Sequence, residues 1–167
     1  MLLYSTLLAA LANAEIVVNP RVYGVEVDWR KPSRDLLGEN PLFRKYCEVI
    51  QASSVSNNAV SELRKRISED DKVLVILDSN HTHDHVFEEL DLYSDFVTRG
   101  SYLVVEDTTI EWHADSGVVR PWGVGNSPMS ALNKFLQSDK GNQFLHRKDL
   151  TDKLLITGLK DGVIERI

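Results

Sequence analysis

Lys72–His85, KVLVILDSNHTHDH, is the stretch from which the fold is read, and Ser101–Thr108, SYLVVEDT, repeats its pattern. Each is an apolar, β-branched run of strand length that ends abruptly in acid. Such runs read as buried parallel strands, because a strand covered on both faces loses the polar–apolar alternation of a half-exposed one. Acids released at the carboxyl ends of these strands lie where open α/β sheets bind ligands. Asp78, Glu106 and Asp107 are therefore expected at one mouth of the sheet, with His81 just outside the first strand.

Upstream, Arg21–Asp28, RVYGVEVD, reads as a strand that follows the Asn19-Pro20 turn. It ends in Glu26 and Asp28, two residues apart and so on one face. Residues 29–41 carry Pro32, Gly38 and Pro41 and read as a loop with room for one helical turn, and Tyr46–Ala52 reads as a weaker strand. Asn57 or Asn58 is expected to cap a helix running to about Ile67. The strand Val73–Leu77 follows, then a helix from about His83 to Phe96 with Val86, Leu90 and Tyr93 as its stripe, then the strand Tyr102–Val105. Residues 108–128 form a long aromatic-bearing loop, a kind that in a compact domain is usually functional or disordered. Ser127 caps and Pro128 opens a helix to Leu136. Leu154–Thr157 and Val163–Ile167, around Gly158 and Gly162, read as a terminal antiparallel hairpin. The order β-α-β-α-β-α, then β-β, specifies an α/β sandwich with a mostly parallel sheet, a single domain over residues 1–167.

Bulk composition narrows the function. The chain of 167 residues is 43% hydrophobic and 26% charged, ordinary for a soluble globular protein. A net charge of −6 with no basic run argues against a nucleic-acid partner. Cys47 alone forms no internal disulfide and suits a reducing, cytoplasmic setting. Met1–Ala14 is apolar and ends in Ala12-Asn13-Ala14, which imitates a secretory cleavage site. It lacks a positively charged start and is too short to span a bilayer, so a helix using Leu3, Leu7, Leu8 and Leu11 is expected, without stable membrane insertion.

The acids and histidines carry the chemistry. Hard divalent cations take oxygen ligands, and carboxylates on neighbouring strand ends supply part of such a shell; solvated strand ends or helix caps are the bland alternative. His81-Thr82-His83-Asp84-His85 is one residue short of the His-x-His-x-Asp-His run of binuclear zinc hydrolases. A helix starting at His83 makes the three histidines diverge and leaves His81 as a lone acid or base, a role that suits imidazole in general. A facial iron triad, two histidines and one carboxylate, stays open. Glu26 and Asp28 suit the hydroxyls of a ribose. Trp112, His113 and Trp122 read equally as a lid or as loop packing.

Residues 73–108, VLVILDSNHTHDHVFEELDLYSDFVTRGSYLVVEDT, resemble the core of the cephalosporin hydroxylase/rhamnosyl O-methyltransferase family, a set of class I S-adenosylmethionine-dependent methyltransferases. The likeness runs from about Leu2 to the C-terminus and takes in GVEVD, the Ala52-Ser53-Ser54 turn and the Asn126-Ser-Pro-Met-Ser-Ala helix start. Its specific part is the pairing of Leu-Asp-Ser-x-His-x-His with Val-Glu-Asp-Thr. The resemblance implies a Rossmann-like sandwich ending in an antiparallel hairpin. It also implies Mg2+ on Asp78, Glu106 and Asp107, with His81 as general base. It places Glu26 on the ribose of S-adenosylmethionine with Asp28 close by, Ser53 near the adenine, and Asp78 within reach of the cofactor. The implied acceptor is a hydroxyl of a sugar, glycolipid or other natural product, a small molecule or a glycan. Family members carry a Glu-x-Gly-x-x-x-Gly-Gly-Ser segment ahead of the position of Leu2, and this chain begins after it, so the first strand is expected to be missing. An iron hydroxylase using His81 or His83 with Asp78, and an inactive fragment or interaction module, stand beside the methyltransferase reading. Homo-oligomerisation is left open.

Overall fold

Parallel strand pairing organises both parts of the chain. The computed structural model describes residues 17–30, 35, 37–113, 119–154 and 156–167. It divides into two units, Met1–Ile67 and Ser68–Ile167. The helix expected over Met1–Ala14 lies outside the described residues.

In the first unit β1 (Val22–Glu26) pairs in parallel with β2 (Cys47–Gln51), Val22 opposite Cys47 and Glu26 opposite Gln51. Parallel neighbours need a crossover, and this one includes a helix, α1 (Pro41–Tyr46), in the stretch left unassigned between the expected loop over residues 29–41 and the expected strand from Tyr46. Its six residues are too few to show a periodicity. The cap is clear, however: Asn40 Oδ1 accepts from the amides of Leu42 and Phe43 at 2.9 and 3.2 Å. Pro41 fills the first helical position, where no amide hydrogen is needed. Phe43, Tyr46 and Ile50 are buried. The next helix, α2 (Asn57–Arg64), is capped by Ser56, whose Oγ accepts from the Ala59 amide at 3.2 Å, and not by Asn57 or Asn58. It buries Ala59, Val60 and Leu63.

The second unit holds a four-stranded sheet made of β3 (Val75–Leu77), β4 (Tyr102–Val105), β5 (Phe144–His146) and β6 (Val163–Arg166), in the order β3-β4-β6-β5. β3 and β4 run parallel with Leu77 opposite Val105, and β6 is antiparallel to both β4 and β5. The β3–β4 crossover is α3 (His83–Tyr93), continued by a short 3-10 turn over Ser94–Phe96. It packs against α4 (Pro128–Phe135), and a short α5 (Lys148–Thr151) lies between β5 and β6. Leu90, Leu103, Leu132, Phe135 and Ile164 are among the fully enclosed apolar side chains of this unit.

The terminal hairpin is corrected in one strand. β6 is where it is expected, but its antiparallel partner on the C-terminal side of the sheet is Phe144–His146 and not Leu154–Thr157. Leu154 and Ile156 are 49% and 96% exposed. Phe144 is instead covered by Phe135, ring centroids 5.9 Å apart. An apolar run becomes a strand only where something covers it. Glycine is obligatory at the entry to β6, since a Cβ on Gly162 would sit 2.2 Å from the Val105 carbonyl oxygen. Among the described residues no helix is long and apolar enough to cross a membrane.

Candidate functional site

β3 and β4 are parallel and in register, so their chains leave the sheet side by side. Asp78 follows Leu77 directly, and Glu106 follows Val105, its amide donating to the Leu77 carbonyl at 3.0 Å. The chain then turns at Asp107, whose φ of 54° is left-handed, into a 3-10 turn over Thr108–Trp112. Asp and Asn tolerate that conformation better than other side chains do. Buried Thr108 anchors the turn by donating from Oγ1 to the Lys160 carbonyl at 2.6 Å.

Asp78, His81 and Asp107 each bring one ligand atom into a cluster whose atoms lie within 4.8 Å of one another. His81 Nε2 is 3.1 Å from Asp107 Oδ2 and 3.8 Å from Asp78 Oδ1. That nitrogen is buried and has no hydrogen bond of good geometry. Glu106 borders the same acids. Burial first, then the charges of Asp78 and Asp107, push its carboxyl above the ordinary glutamate range. No lysine or arginine pairs with these three carboxylates among the described residues.

The turn between β3 and α3 is held from both ends. Asn80 Oδ1 accepts from the amide and hydroxyl of Thr82 at 2.9 and 2.8 Å. Ser79 Oγ donates to Glu89 Oε1 at 2.7 Å. Glu89 lies on the inner face of α3 and is 2% exposed, with His85 Nε2 3.5 Å away. Its charge, after burial, helps push Tyr93 up to about 12. Its place three residues after Val86 and four before Tyr93 is a signal in the sequence, an acid on the apolar stripe. The histidines diverge as expected. His83 opens α3, its Nδ1 is 2.8 Å from Ser130 Oγ, and it is not among the clustered ligand atoms, so the iron triad lacks His83 as its second histidine.

Trp122 meets His81 edge to face, with centroids 5.0 Å apart and planes at 76°. A role for Glu111 was not read from the sequence. Its carboxylate accepts from the Gly125 amide at 3.1 Å and from the buried Ser127 hydroxyl. Nothing local marks it, because both partners lie more than ten residues on.

Glu26 ends β1 in the first unit. Its Oε1 accepts from the Asp28 amide at 3.1 Å, while Asp28 lies past the strand, exposed, with Arg30 at 2.7 Å. Ser53 begins the turn after β2, its carbonyl accepting from the Ser56 amide at 3.0 Å. The Ala52 amide donates to the Glu26 carbonyl at 3.1 Å, so Glu26 and Ser53 share the carboxyl edge of this strand pair.

The chain is similar to known proteins along most of its length. The rhamnosyl O-methyltransferase of Mycobacterium tuberculosis (strain ATCC 25618 / H37Rv) is 30% identical over 130 residues, 76% of this chain and 51% of that protein. The protein of the same name from Mycobacterium leprae (strain TN) is 31% identical over 86 residues, 50% of this chain and 35% of that protein. The chain thus spans about half the length of the M. tuberculosis relative. Among solved structures, the MycE methyltransferase from the mycinamycin biosynthetic pathway, in complex with Mg, SAH and mycinamycin VI, aligns with a TM-score of 0.48 and 16% identity. That alignment covers 87% of this chain and 36% of the MycE chain. Residues 2–167 match the model of the family described as Rhamnosyl O-methyltransferase/CmcI, and the chain belongs to that family.

Proposed function

We propose that the chain belongs to the methyltransferase domain of an S-adenosylmethionine- and Mg2+-dependent O-methyltransferase. The acceptor is a hydroxyl of a sugar, glycolipid or related natural product. The carrying observation is the Asp78–His81–Asp107 cluster with Glu106 beside it. Three carboxylates without a lysine or arginine partner among the described residues, two of which add to the burial that pushes Glu106 up, next to a buried imidazole nitrogen without a hydrogen bond, fit a hard divalent cation. Asp78, Glu106 and Asp107 would hold it. The names of the mycobacterial relatives favour a rhamnosyl acceptor, and the single cysteine suits a cytoplasmic enzyme.

When bound, the cation lowers the pKa of an acceptor hydroxyl and S-adenosylmethionine supplies an activated methyl group. The chain's own residues do the rest. His81 takes the hydroxyl proton at Nε2, and Asp107, 3.1 Å away, stabilises the imidazolium that forms. Asp78 adds negative charge from 3.8 Å. Glu26 and Ser53, on one strand-pair edge, bind ribose and adenine, with Asp28 beside them. The test is methyl transfer from S-adenosylmethionine to a rhamnoside by the protein, with chelator and with Mg2+ restored. Transfer that stops with chelator and returns with Mg2+ is expected; transfer indifferent to chelation would overturn the metal assignment.

A further inference from the structure

Resting on that reading of His81, we propose that Glu111 is a positioning residue. It latches residues 119–127 and thereby holds Trp122 against the base. The latch is a single carboxylate closing on a loop distant in sequence. Both Glu111 oxygens lie 3.1 Å from the Gly125 amide, and one also takes the hydroxyl of fully buried Ser127. Gly125 has a φ of +79°, which turns its amide toward the carboxylate in a conformation that side chains disfavour. A charged acceptor makes these bonds stronger than a neutral one would.

The loop is tied at two further points. Asn126 Nδ2 donates to the Pro121 carbonyl at 2.8 Å, and Asn126 Oδ1 accepts from the His83 amide at 2.8 Å. Trp122 follows Pro121 directly, so the Asn126 side chain joins the segment bearing the indole to the start of α3. The indole then meets the His81 ring edge to face. That ring has no hydrogen bond of good geometry on Nε2, so packing against Trp122 limits its rotation where hydrogen bonding does not. Glu111 touches neither His81 nor a ligand-bearing acid; it acts through the loop.

The direct readout needs neither cofactor nor acceptor. In the isotope-labelled protein, cross-relaxation between the Trp122 indole and the His81 ring is expected in the wild type. It should be lost in Glu111→Ala and kept, weakened, in Glu111→Gln, which retains a carbonyl acceptor. Turnover with S-adenosylmethionine should fall about tenfold in Glu111→Ala, the size usual for outer-shell partners, with KM for the cofactor unchanged. Cross-relaxation that persists in folded Glu111→Ala overturns the latch and leaves the assignment of His81 as base untouched. Should Glu111→Ala not fold, amide exchange in the wild type decides. The Gly125 amide is slow to exchange if Glu111 holds it, and exchange at the rate of an open loop overturns the proposal.

Discussion

A histidine beside two aspartates can be a proton acceptor or a cation ligand, and His81 has the geometry for both. The two roles separate on substitution. As a base, His81→Ala lowers turnover by ~10²–10⁴-fold, the usual worth of a positioned general base, and leaves Mg2+ affinity near the wild-type value. Single-turnover methyl transfer beside calorimetric Mg2+ titration checks this, and Mg2+ binding lost in parallel with turnover would make His81 a ligand. Glu106 gives the second prediction, a pH dependence. Its carboxyl sits above the ordinary value of 4.5, through burial and then through Asp78 and Asp107. Below that value both folded and unfolded chains hold the proton and Glu106 imposes no penalty. As pH rises past 4.5 toward the raised folded value, the unfolded chain releases its proton first, and the metal-free fold loses stability. Glu106→Gln removes that loss. Its advantage in thermal melts without metal should therefore grow through this window and level off above it. Mg2+ at neutral pH should stabilise the wild type more than the variant.

Strands and helices here depend on what covers them more than on their own composition. Ile164 of β6 is 0% exposed between β4 and β5, whereas Leu145 on the neighbouring strand is 52% exposed. Ile164→Ala should cost roughly 2–5 kcal/mol in denaturant unfolding, by lost burial plus a cavity. Leu145→Ala should stay within about 0.5 kcal/mol. A comparable loss in both would mean that β6 is not the covered strand. The same contrast explains which elements were legible. β3 and β4 were, because a β-branched run ending in acid marks a buried strand and its carboxyl end at once. The helix over Pro128–Phe135 was, because Ser127-Pro128 is a cap and an opening residue side by side. The helix over Pro41–Tyr46 was not, being too short for a stripe. β5 was missed because three residues show no alternation, while Leu154–Thr157 looked apolar enough but leaves Leu154 and Ile156 without cover. Of the candidate site, Asp78, Glu106, Asp107 and His81 were legible from local spacing. Glu111 was not, since its role depends on a loop closing back on it from more than ten residues away.

At the scale of the whole chain, the residues assigned to the cation and those assigned to adenosine fall in different units. Asp78, His81, Glu106 and Asp107 lie in Ser68–Ile167, and Glu26, Asp28 and Ser53 in Met1–Ile67. A ligand that binds the folded state stabilises the segment it touches in proportion to its saturation, and amide exchange reads that segment by segment. Mg2+ alone should therefore slow exchange at the ends of β3 and β4, around residues 78–81 and 106–108, and leave the ends of β1 and β2 unchanged. S-adenosylhomocysteine without metal should slow exchange around residues 26–28 and 52–56. It should leave exchange at the ends of β3 and β4 unchanged. Protection by Mg2+ that appears in the first unit, or adenosine-ligand protection centred on 106–108, would reverse the division of labour. The family membership would then stand while the residue assignments failed, because the former rests on 166 matched positions (residues 2–167) and the latter on seven side chains.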